Sequence, residues 1–291
     1  MRSDASSNSR CCWALLLALL LPALPAAGVP AGYALVLADE FDGPTLDPAI
    51  WEHRLPGPRR DAVNTPDAVR LADGQLVIDT WTEGGVHYTG MIGSQGRFEQ
   101  QYGWFEARID FDDAPGMWSA FWLQSPDMGS FLGDPGRAGV EMDIVEHDLF
   151  NSVATEPIWH AALHWDGYGP EHQFKNGLVP IPDIGDGFHT YALEWTPTTL
   201  RFFYDDQLMW EPSGPISHRP EFLILSSEVE DSIINRIPEG GYGTRAESTT
   251  RMVVDYVRVY QAVPAPPASV LLLFGAAAFA RFSTPRRPHR C

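Results

Sequence analysis

The segment from Glu141 to Glu146 holds three carboxylates within six residues: Glu141, Asp143 and Glu146. Apolar residues separate them, which is typical of a β-strand whose side chains alternate between two faces. Two acidic side chains held close together can divide the work of bond cleavage, one as nucleophile or base and the other as proton donor. The segment therefore indicates a strand that carries acid/base or nucleophilic chemistry.

The spacing within this strand is irregular. Glu141 and Asp143 share a face, but regular alternation would place the residue before Glu146 beside them. A β-bulge absorbs one extra residue, so we expect one here, with Met142 and Ile144 in the core and all three carboxylates on one face. Glu141 and Glu146 would then lie about 13 Å apart along the backbone. Their side chains can lean together to the ~5–5.5 Å separation that retaining glycosidases use.

Two other interpretations of the acidic strand compete with catalysis. One is a solvated surface strand, but mutual repulsion and the low strand propensity of acidic residues count against it. The other is a metal site made of hard oxygen ligands, which explains the charges but not the tryptophans in neighbouring segments. Crowded carboxylates push their pKa values apart, as a proton donor working beside a nucleophile requires. We therefore favour catalysis.

The elements that must position this strand are themselves short strands. Between residues 33 and 261 there is no long amphipathic helical pattern and no internal repeat. Short runs with period-two alternation, separated by Gly, Pro, Asp and Asn, predict an all-β fold, a two-sheet antiparallel β-sandwich. A hairpin is expected to turn at Asp205-Asp206. The predicted strands are Leu76–Trp81, Tyr102–Ile109, Trp118–Leu123, Glu141–Glu146, His160–Trp165, His189–Trp195, Leu200–Tyr204, Glu221–Ser226 and Met252–Tyr260.

The charge of the chain disfavours several classes of partner. The 291 residues carry a formal net charge of −18, and residues 28–262 alone hold 14 Lys and Arg against 37 Asp and Glu, a net of −23. So acidic a body repels nucleic-acid phosphates and anionic lipid, whereas a neutral sugar polymer is unaffected. Aromatic residues make up 12% of the chain, including ten Trp, which argues against disorder.

Residues 1–28 predict a secretory signal peptide. Arg2 and Arg10 precede the apolar run Trp13–Leu24, and small residues follow it. The run is shorter than the about 20 residues that a transmembrane helix needs. Cleavage would remove two of the three cysteines, and the third is the last residue, so we expect no disulfide framework.

Residues 263–291 combine a Pro-rich break, an apolar run from Ala268 to Ala280 and an arginine cluster. This order resembles the PEP-CTERM sorting signal of Gram-negative bacteria, with Pro-Ala-Pro in place of Pro-Glu-Pro. The resemblance implies an exported protein of the periplasm, cell surface or medium, held at the membrane only through this tail until a protease removes it. A short tail anchor is the alternative, and in both cases the arginines stay cytoplasmic.

Several sequence blocks around the acidic strand occur together in one known family. Over residues 38–261 the chain resembles glycoside hydrolase family 16, the laminarinase and lichenase group, whose signature is Glu-x-Asp-x-(x)-Glu in its shorter or bulged form. The resemblance implies a catalytic domain over residues 33–262, folded as a concanavalin A-like jelly roll with a concave substrate cleft. The matching blocks beside the signature are Asp39–Gly43, Gly96–Phe98, Tyr102–Arg108, Trp118–Leu123, Leu163–Trp165, Phe188–Pro197 and Val254–Tyr260.

The same resemblance implies catalytic roles for the three carboxylates. Glu141 would be the nucleophile, Glu146 the general acid/base and Asp143 the helper between them. These roles fit the chemistry, because Glu141 must be ionised to attack the anomeric carbon and Glu146 must begin protonated. The negative charge of Asp143 helps to keep Glu146 protonated.

Substrate contacts are expected on the neighbouring strands. Trp118 and Trp122 share a face by period two, and the resemblance turns that face to the cleft, where indole rings stack on β-linked glucose; packing in the core is the alternative. The resemblance also places His164 in the cleft near the acid/base, as a substrate contact or a tuning residue. Arg97 is expected to donate to sugar hydroxyls, or else to pair with a nearby acid.

One departure from the family concerns specificity. Many laminarinases have Asn-Leu-Ala-Val-Gly-Gly where this chain has Ser226–Asp231. Ser226 and Glu228 should face the cleft, so a hydroxyl replaces an amide and a carboxylate is added, which disfavours an anionic galactan as substrate. The family commonly holds a structural calcium ion at positions that match Glu40 and Asp255; ordinary surface acids are the alternative.

The expected function is that of a secreted, monomeric, retaining endo-glycosidase that hydrolyses β-1,3- or mixed β-1,3/1,4-glucan and requires no cofactor. The enzymatic alternative is another activity of the same family, a transglycosylase or a hydrolase of neutral galactan. The third candidate is a non-catalytic carbohydrate-binding sandwich. The triple carboxylate argues against it, because a lectin has no use for a proton donor.

Overall fold

A computed structural model describes residues 29–148, 158–182, 184–231 and 236–263. The predicted signal peptide and nearly all of the predicted C-terminal tail lie outside these residues. Within them the regular structure is almost entirely β, with a 3-10 turn at Pro66–Ala68 and one short helix, α1, at Pro135–Ala138. No helix in the described ranges has the length and apolar character of a membrane span.

The described residues form 20 strands, which we number in chain order. Those of the first half are β1 Tyr33–Asp39, β2 Glu52–His53, β3 Gly57–Arg59, β4 Ala62–Asn64, β5 Val69–Ala72, β6 Gln75–Asp79, β7 Trp81–Glu83, β8 Val86–Thr89, β9 Met91–Gly93 and β10 Glu99–Gln100. Those of the second half are β11 Gly103–Asp110, β12 Met117–Gln124, β13 Glu141–Asp148, β14 Ile158–Trp165, β15 Gln173–Pro180, β16 His189–Trp195, β17 Leu200–Tyr204, β18 Gln207–Trp210, β19 Glu221–Val229 and β20 Arg251–Ala262.

Two large antiparallel sheets make up a sandwich, which confirms the predicted fold class. The first sheet has the order β18-β17-β16-β11-β20-β6-β5, with β1 paired to β20. The second has the order β15-β14-β13-β12-β19-β9-β2, with β10 paired to β19. The acidic strand β13 therefore lies inside the second sheet, flanked by β12 and β14. We call this second sheet the carboxylate sheet.

The hydrophobic core fills the space between the two large sheets. On β19, Leu223 and Leu225 belong to this core, whereas Phe222 and Ile224 belong to a separate cluster with Trp122. Strand alternation thus sends one set of residues inward and the other set to the outer face of the carboxylate sheet. Burying a large apolar side chain contributes about 1.5–3 kcal/mol. The many fully buried rings of this core therefore give β12, β13 and β19 a firm support.

The predicted strands match the observed ones closely. The Asp205-Asp206 turn joins β17 to β18, and both residues have positive φ, 43° and 65°, as a two-residue hairpin turn requires. The sequence did not predict the third sheet, β3-β4-β8-β7, because its strands are only three or four residues long. The β3–β4 hairpin of this sheet is tied to the end of β19 by a hydrogen bond from Asp61 N to Val229 O, 3.1 Å long.

Candidate active site

The three carboxylates lie together on the outer face of the carboxylate sheet. The register of β13 shifts against β12 and β14 between Asp143 and Glu146, which confirms the predicted bulge. Ile144 and Val145 both enter the core, so that Glu146 returns to the face of Glu141 and Asp143. The three side chains line one cavity and are nearly buried: Glu141 is 8% exposed, Asp143 4% and Glu146 6%.

Glu141 is held by two hydrogen-bond donors. Its Oε2 accepts from Gln124 Nε2 at 2.8 Å and from the hydroxyl of Tyr168. Gln124 ends β12, beside the start of β13, and Tyr168 lies in the turn between β14 and β15. Donors to a carboxylate favour its ionised form, which is the form a nucleophile needs.

Asp143 lies beside a stacked pair of histidines. His164 Nε2 is 3.4 Å from Asp143 Oδ2, and His164 Nδ1 is 2.9 Å from His172 Nε2. Burial, together with the neighbouring His172 and His160, lowers the pKa of His164 to about 4. His164 is therefore neutral near neutral pH and adds no positive charge to Asp143 there.

Glu146 has its own partners on the two flanking strands. Trp118 of β12 donates its indole N–H to Glu146 Oε1 at 2.7 Å. His160 of β14 lies on the other side, with Nδ1 3.3 Å from Glu146 Oε2. The carboxyl group is therefore fixed in position from both neighbouring strands, as a proton donor to a bound substrate requires.

The electrostatics of the cluster favour retention of protons. Burial raises the pKa of Glu141, and the charge of Glu146 raises it as well, against the lowering effect of the donors Tyr168 and Gln124. Burial also raises the pKa of Asp143 well above its usual range, and both glutamates add to this shift. Three carboxyl groups in one small cavity cannot all ionise near neutral pH. The cluster thus combines a carboxylate and a carboxylic acid.

One side of the cavity is closed by an ionic wall, which we define as Arg59, Arg60 and Glu228. Arg59 and Arg60 are carried by the β3–β4 hairpin, and both bind the carboxylate of Glu228, at 2.6 Å for Arg59 Nη2. The guanidinium of Arg60 also lies over the ring of Trp118, 4.0 Å from its centroid. One face of Trp118 is therefore already occupied by a cation, while its N–H is bound to Glu146.

The predicted cleft residues on β12 and β19 line the cavity. Trp118, Trp122, Ser226 and Glu228 all contribute to its walls, together with Ala120. The indole N–H of Trp122 donates to Ser226 Oγ at 3.0 Å. Of these side chains Trp122 is only 8% exposed and packs with Met91, Phe222 and Ile224.

Three predicted site residues lie elsewhere and pair with side chains of opposite charge. Arg97 is exposed in the turn before β10 and binds Glu52 at 2.9 Å, as in the ion-pair alternative. Glu40 binds Arg258 at 2.8 Å, and Asp255 binds Arg108 at 2.9 Å. The two acids predicted as calcium ligands are thus each neutralised by a different arginine, and calcium at this place stays a prediction.

A metal ion would find its best donor set in the cavity itself. Three side chains each place one ligand atom within 4.8 Å of the other two: Glu141, Asp143 and His164. In the described ranges this is the sole group of three or more His, Cys, Asp or Glu residues that is close enough to hold a metal ion. Two carboxylates and one imidazole suit several divalent cations. The hydrogen bonds to Glu141 already satisfy one of these carboxylates without a cation.

Sequence reasoning missed several residues at this site. They are Arg59, Arg60, Gln124, His160 and Tyr168. Gln124 and His160 could have been found, because each shares a strand face with a predicted residue by period two. Arg59, Arg60 and Tyr168 lie in a short hairpin and in a turn, where no periodic pattern indicates the direction of a side chain.

Comparison with known proteins assigns the family. Residues 58–256 match the model of the glycosyl hydrolases family 16, which is more than half of the chain. The sandwich and its bulged carboxylate strand are those of a glycoside hydrolase, and the chain belongs to glycosyl hydrolase family 16.

Individual relatives are similar over most of the described residues. A beta-glucanase of Rhodothermus marinus is 28% identical over 256 residues, covering 79% of this chain and 85% of that protein. An endo-1,3-1,4-beta-glycanase of Rhizobium meliloti (strain 1021) is 30% identical over 181 residues. The match covers 60% of this chain but only 34% of that longer protein. The crystal structure of a laminarinase from Flavobacterium sp. UMI-01 is 26% identical, with a TM-score of 0.62 over 78% of this chain and 100% of that one.

Proposed function

We propose that this chain is an endo-hydrolase of β-1,3- or mixed β-1,3/1,4-glucan that works with retention of configuration. The observation that carries the proposal is the buried carboxylate face of β13, on which Glu141 and Glu146 have separate hydrogen-bond donors. Relatives named as a beta-glucanase, an endo-1,3-1,4-beta-glycanase and a laminarinase support a glucan as the substrate.

In the first step Glu141 attacks the anomeric carbon of the bound sugar. Its Oε2 keeps the hydrogen bonds from Gln124 and Tyr168, so Oε1 is the oxygen available to form the new C–O bond. Glu146 transfers its proton to the glycosidic oxygen, and the C–O bond to the leaving sugar breaks. The products of this step are a glycosyl ester on Glu141 and a free sugar hydroxyl.

In the second step water replaces the departed sugar. Glu146, now ionised, takes a proton from the water as it attacks the anomeric carbon, and the ester bond to Glu141 breaks. Two displacements at one carbon restore the β configuration. Asp143 lies between the two glutamates on the same face of β13. Burial and the charges of both glutamates raise its pKa well above the usual range, so a protonated Asp143 separates them without adding a third negative charge.

The roles of the two glutamates predict opposite outcomes for two rescue reactions. With Glu141→Ala and an activated β-glucoside, azide should replace the nucleophile and give the α-glycosyl azide. With Glu146→Ala, azide should attack the glycosyl enzyme and give the β-glycosyl azide. Product analysis by NMR checks both. The same anomer from both variants, or rescue of neither, would contradict the assignment of roles.

Glutamine variants test the need for these groups. Glu141→Gln and Glu146→Gln should each lower hydrolysis of laminarin or lichenan by about 10²–10⁴-fold. The exposed Glu83→Gln is the matched control and should keep full activity. Because each glutamine variant removes a charge from a crowded buried site, the thermal midpoint should not fall. Full activity in either variant would end the proposal.

Dialysis against a chelator separates carboxylate catalysis from metal catalysis. If Glu141 and Glu146 act as proposed, activity should survive removal of divalent cations. Loss of activity that an added cation restores would instead identify Glu141, Asp143 and His164 as metal ligands. A panel of laminarin, lichenan, xyloglucan and agarose then identifies the preferred polymer, and action on agarose alone would contradict a glucan substrate.

A further inference from the structure

An aromatic surface stands beside the cavity, on the side opposite the ionic wall. In the described ranges, two aromatic side chains are among the exposed large apolar ones: Tyr168 at 61% and Phe174 at 60%. Both belong to the β14–β15 hairpin, Tyr168 in its turn and Phe174 in β15. Two exposed aromatic rings in one place are unusual for a protein surface and indicate a binding surface.

These rings form a layered group with two histidines. The His164 and His172 rings stack at 5.0 Å with 15° between their planes, and His172 and Phe174 follow at 6.0 Å and 28°. The ring of Tyr168 lies 6.0 Å from that of His172, with 48° between their planes. We call Tyr168, His172 and Phe174 the aromatic platform.

The platform is continuous with the catalytic carboxylates. Phe174 lies directly opposite His164 in the β14–β15 ladder, so the two side chains share a face of the sheet. His164 in turn reaches Asp143, and the hydroxyl of Tyr168 reaches Glu141. Two strand spacings of about 4.8 Å separate β15 from β13, so Phe174, the outer ring of the platform, lies roughly 10 Å from the carboxylate strand.

The chemistry of the platform suits a neutral sugar ring. A β-linked pyranose presents an apolar face of C–H groups, which an exposed aromatic ring covers at little entropic cost. The His172 ring adds a polar edge, where sugar hydroxyls would lie. On the far side of the cavity, Arg60 already covers one face of Trp118, which leaves less of that ring for a sugar to stack on.

We propose that the aromatic platform binds further sugar rings of the same glucan chain that Glu141 and Glu146 cleave. This inference rests on the proposed glucan hydrolysis for the identity of its ligand. The platform then sets how strongly long chains are preferred over short ones, because only a chain that extends past the carboxylates reaches Phe174.

The test compares Phe174→Ala with Phe174→Trp and with Leu208→Ala. Leu208 is 51% exposed on β18 of the opposite sheet and serves as the control for lost apolar surface. An aromatic contact contributes about 0.5–1.5 kcal/mol beyond its area, which corresponds to about a two- to twelvefold change in KM. We measure kcat and KM on laminari-oligosaccharides of increasing length and on laminarin.

For Phe174→Ala the rise in KM should grow with chain length, while kcat stays close to that of the wild type. Phe174→Trp should have a KM equal to or lower than that of the wild type. Leu208→Ala should have the wild-type KM at every chain length. An equal change at all lengths, or no change on laminarin, would overturn the platform.

A binding measurement distinguishes failure of the platform from failure of the proposed function. If the wild type hydrolyses no glucan, titration of laminari-oligosaccharides followed by NMR still reports on Phe174. Binding that Phe174→Ala weakens would keep the platform as a sugar-binding surface in a protein with another activity. No binding to the wild type would end both proposals, whereas hydrolysis without any effect of Phe174→Ala would end only the platform.

Discussion

The ionic wall and the aromatic platform, on opposite sides of the cavity, differ in how far their side chains already have partners within the protein. In the ionic wall the Glu228 side chain is 7% exposed and binds two arginines, one of which also covers Trp118. In the aromatic platform Phe174 is 60% exposed and lies beside the rings of His164 and His172. The charged groups of the ionic wall are thus paired with one another, whereas the platform presents apolar surface to solvent.

This difference gives the two walls different effects on catalysis. The ionic wall reaches Glu146, the proposed general acid, through Trp118, whose N–H binds that carboxylate. The platform reaches Glu141, the proposed nucleophile, through Tyr168. Substitutions in the ionic wall should therefore alter the position of the Glu146 side chain and the charge around it. Substitutions in the platform should act in two separate ways, through the hydrogen bond from Tyr168 to Glu141 or through binding of the glucan chain.

The largest effect is expected where the platform contacts Glu141, the proposed nucleophile. Tyr168→Phe keeps the ring but removes the hydrogen bond to Glu141. A hydrogen bond to a charged group contributes about 1.5–3 kcal/mol, so kcat should fall about 10–100-fold. Loss of a donor also raises the pKa of Glu141, so the acidic limb of the pH profile of kcat/KM should move to higher pH.

A matched control for this change is Tyr33→Phe. It removes a tyrosine hydrogen bond to Glu194, 3.1 Å long, on the sheet opposite the cavity, and should leave the pH profile unchanged. If Tyr168→Phe raises KM in proportion to chain length and leaves kcat alone, Tyr168 acts only as part of the platform.

The next effect concerns the central carboxylate of the ionic wall. Glu228→Gln leaves Arg59 and Arg60 as two neighbouring cations without their shared partner, so Arg60 should move away from Trp118. We expect kcat/KM on laminarin to fall about three- to tenfold and the free energy of unfolding to fall by about 1–2 kcal/mol, since both arginines are a third exposed.

Glu230 provides the control for this change. It binds Arg60 at 2.8 Å but is 34% exposed, and Glu230→Gln should alter stability by no more than about 0.5 kcal/mol. Steady-state kinetics and urea unfolding measure both variants. Equal effects of the two substitutions would show that the ionic wall contributes only surface charge.

The smallest effect on catalysis is expected for a second buried carboxyl on β19. Glu221 is fully buried, accepts a hydrogen bond from Val140 N at 3.1 Å, and forms no ion pair among the described residues. Burial raises its pKa to about 8. The folded state therefore holds a proton that the unfolded state releases at lower pH, so this group lowers stability as pH rises from about 4.5 to 8.

Glu221→Gln should remove the loss of stability that the wild type shows as pH rises. At pH 9 the variant should be more stable than the wild type by on the order of 2–4 kcal/mol, and at pH 4.5 the two should differ little. Urea unfolding at several pH values measures the difference, with Glu83→Gln as control. A constant difference at all pH values would mean that Glu221 does not titrate in this range.

The sequence predicted the strand that carries the chemistry better than it predicted the walls. The alternation and the extra residue in Glu141–Glu146 predicted the bulge and the shared face. Period two placed Trp118 and Trp122 on one face, and the family resemblance turned that face toward the cavity. The partners of these rings could not be predicted. That Arg60 covers Trp118 depends on a hairpin more than 50 residues away in the chain, which tertiary packing brings to the end of β19.

The partners of single charged residues were the hardest to predict. Each of three such residues pairs with a side chain of opposite charge, and the sugar and calcium roles expected for them stay predictions: Arg97, Glu40 and Asp255. Residue type and family position cannot distinguish an arginine that binds sugar from one that binds Glu52, because both need the same exposed guanidinium. Only the positions of the two side chains in space decide between them.

The bulge in β13 makes this strand tolerant of a change that would disable most strands. Because Ile144 and Val145 both enter the core, the segment between Asp143 and Glu146 contains one residue more than alternation needs. A chain that lost Val145 would still present all three carboxylates on one face, whereas loss of Met142 would turn Asp143 inward. Evolution can therefore shorten the strand by one residue at this point without losing the three-carboxylate face.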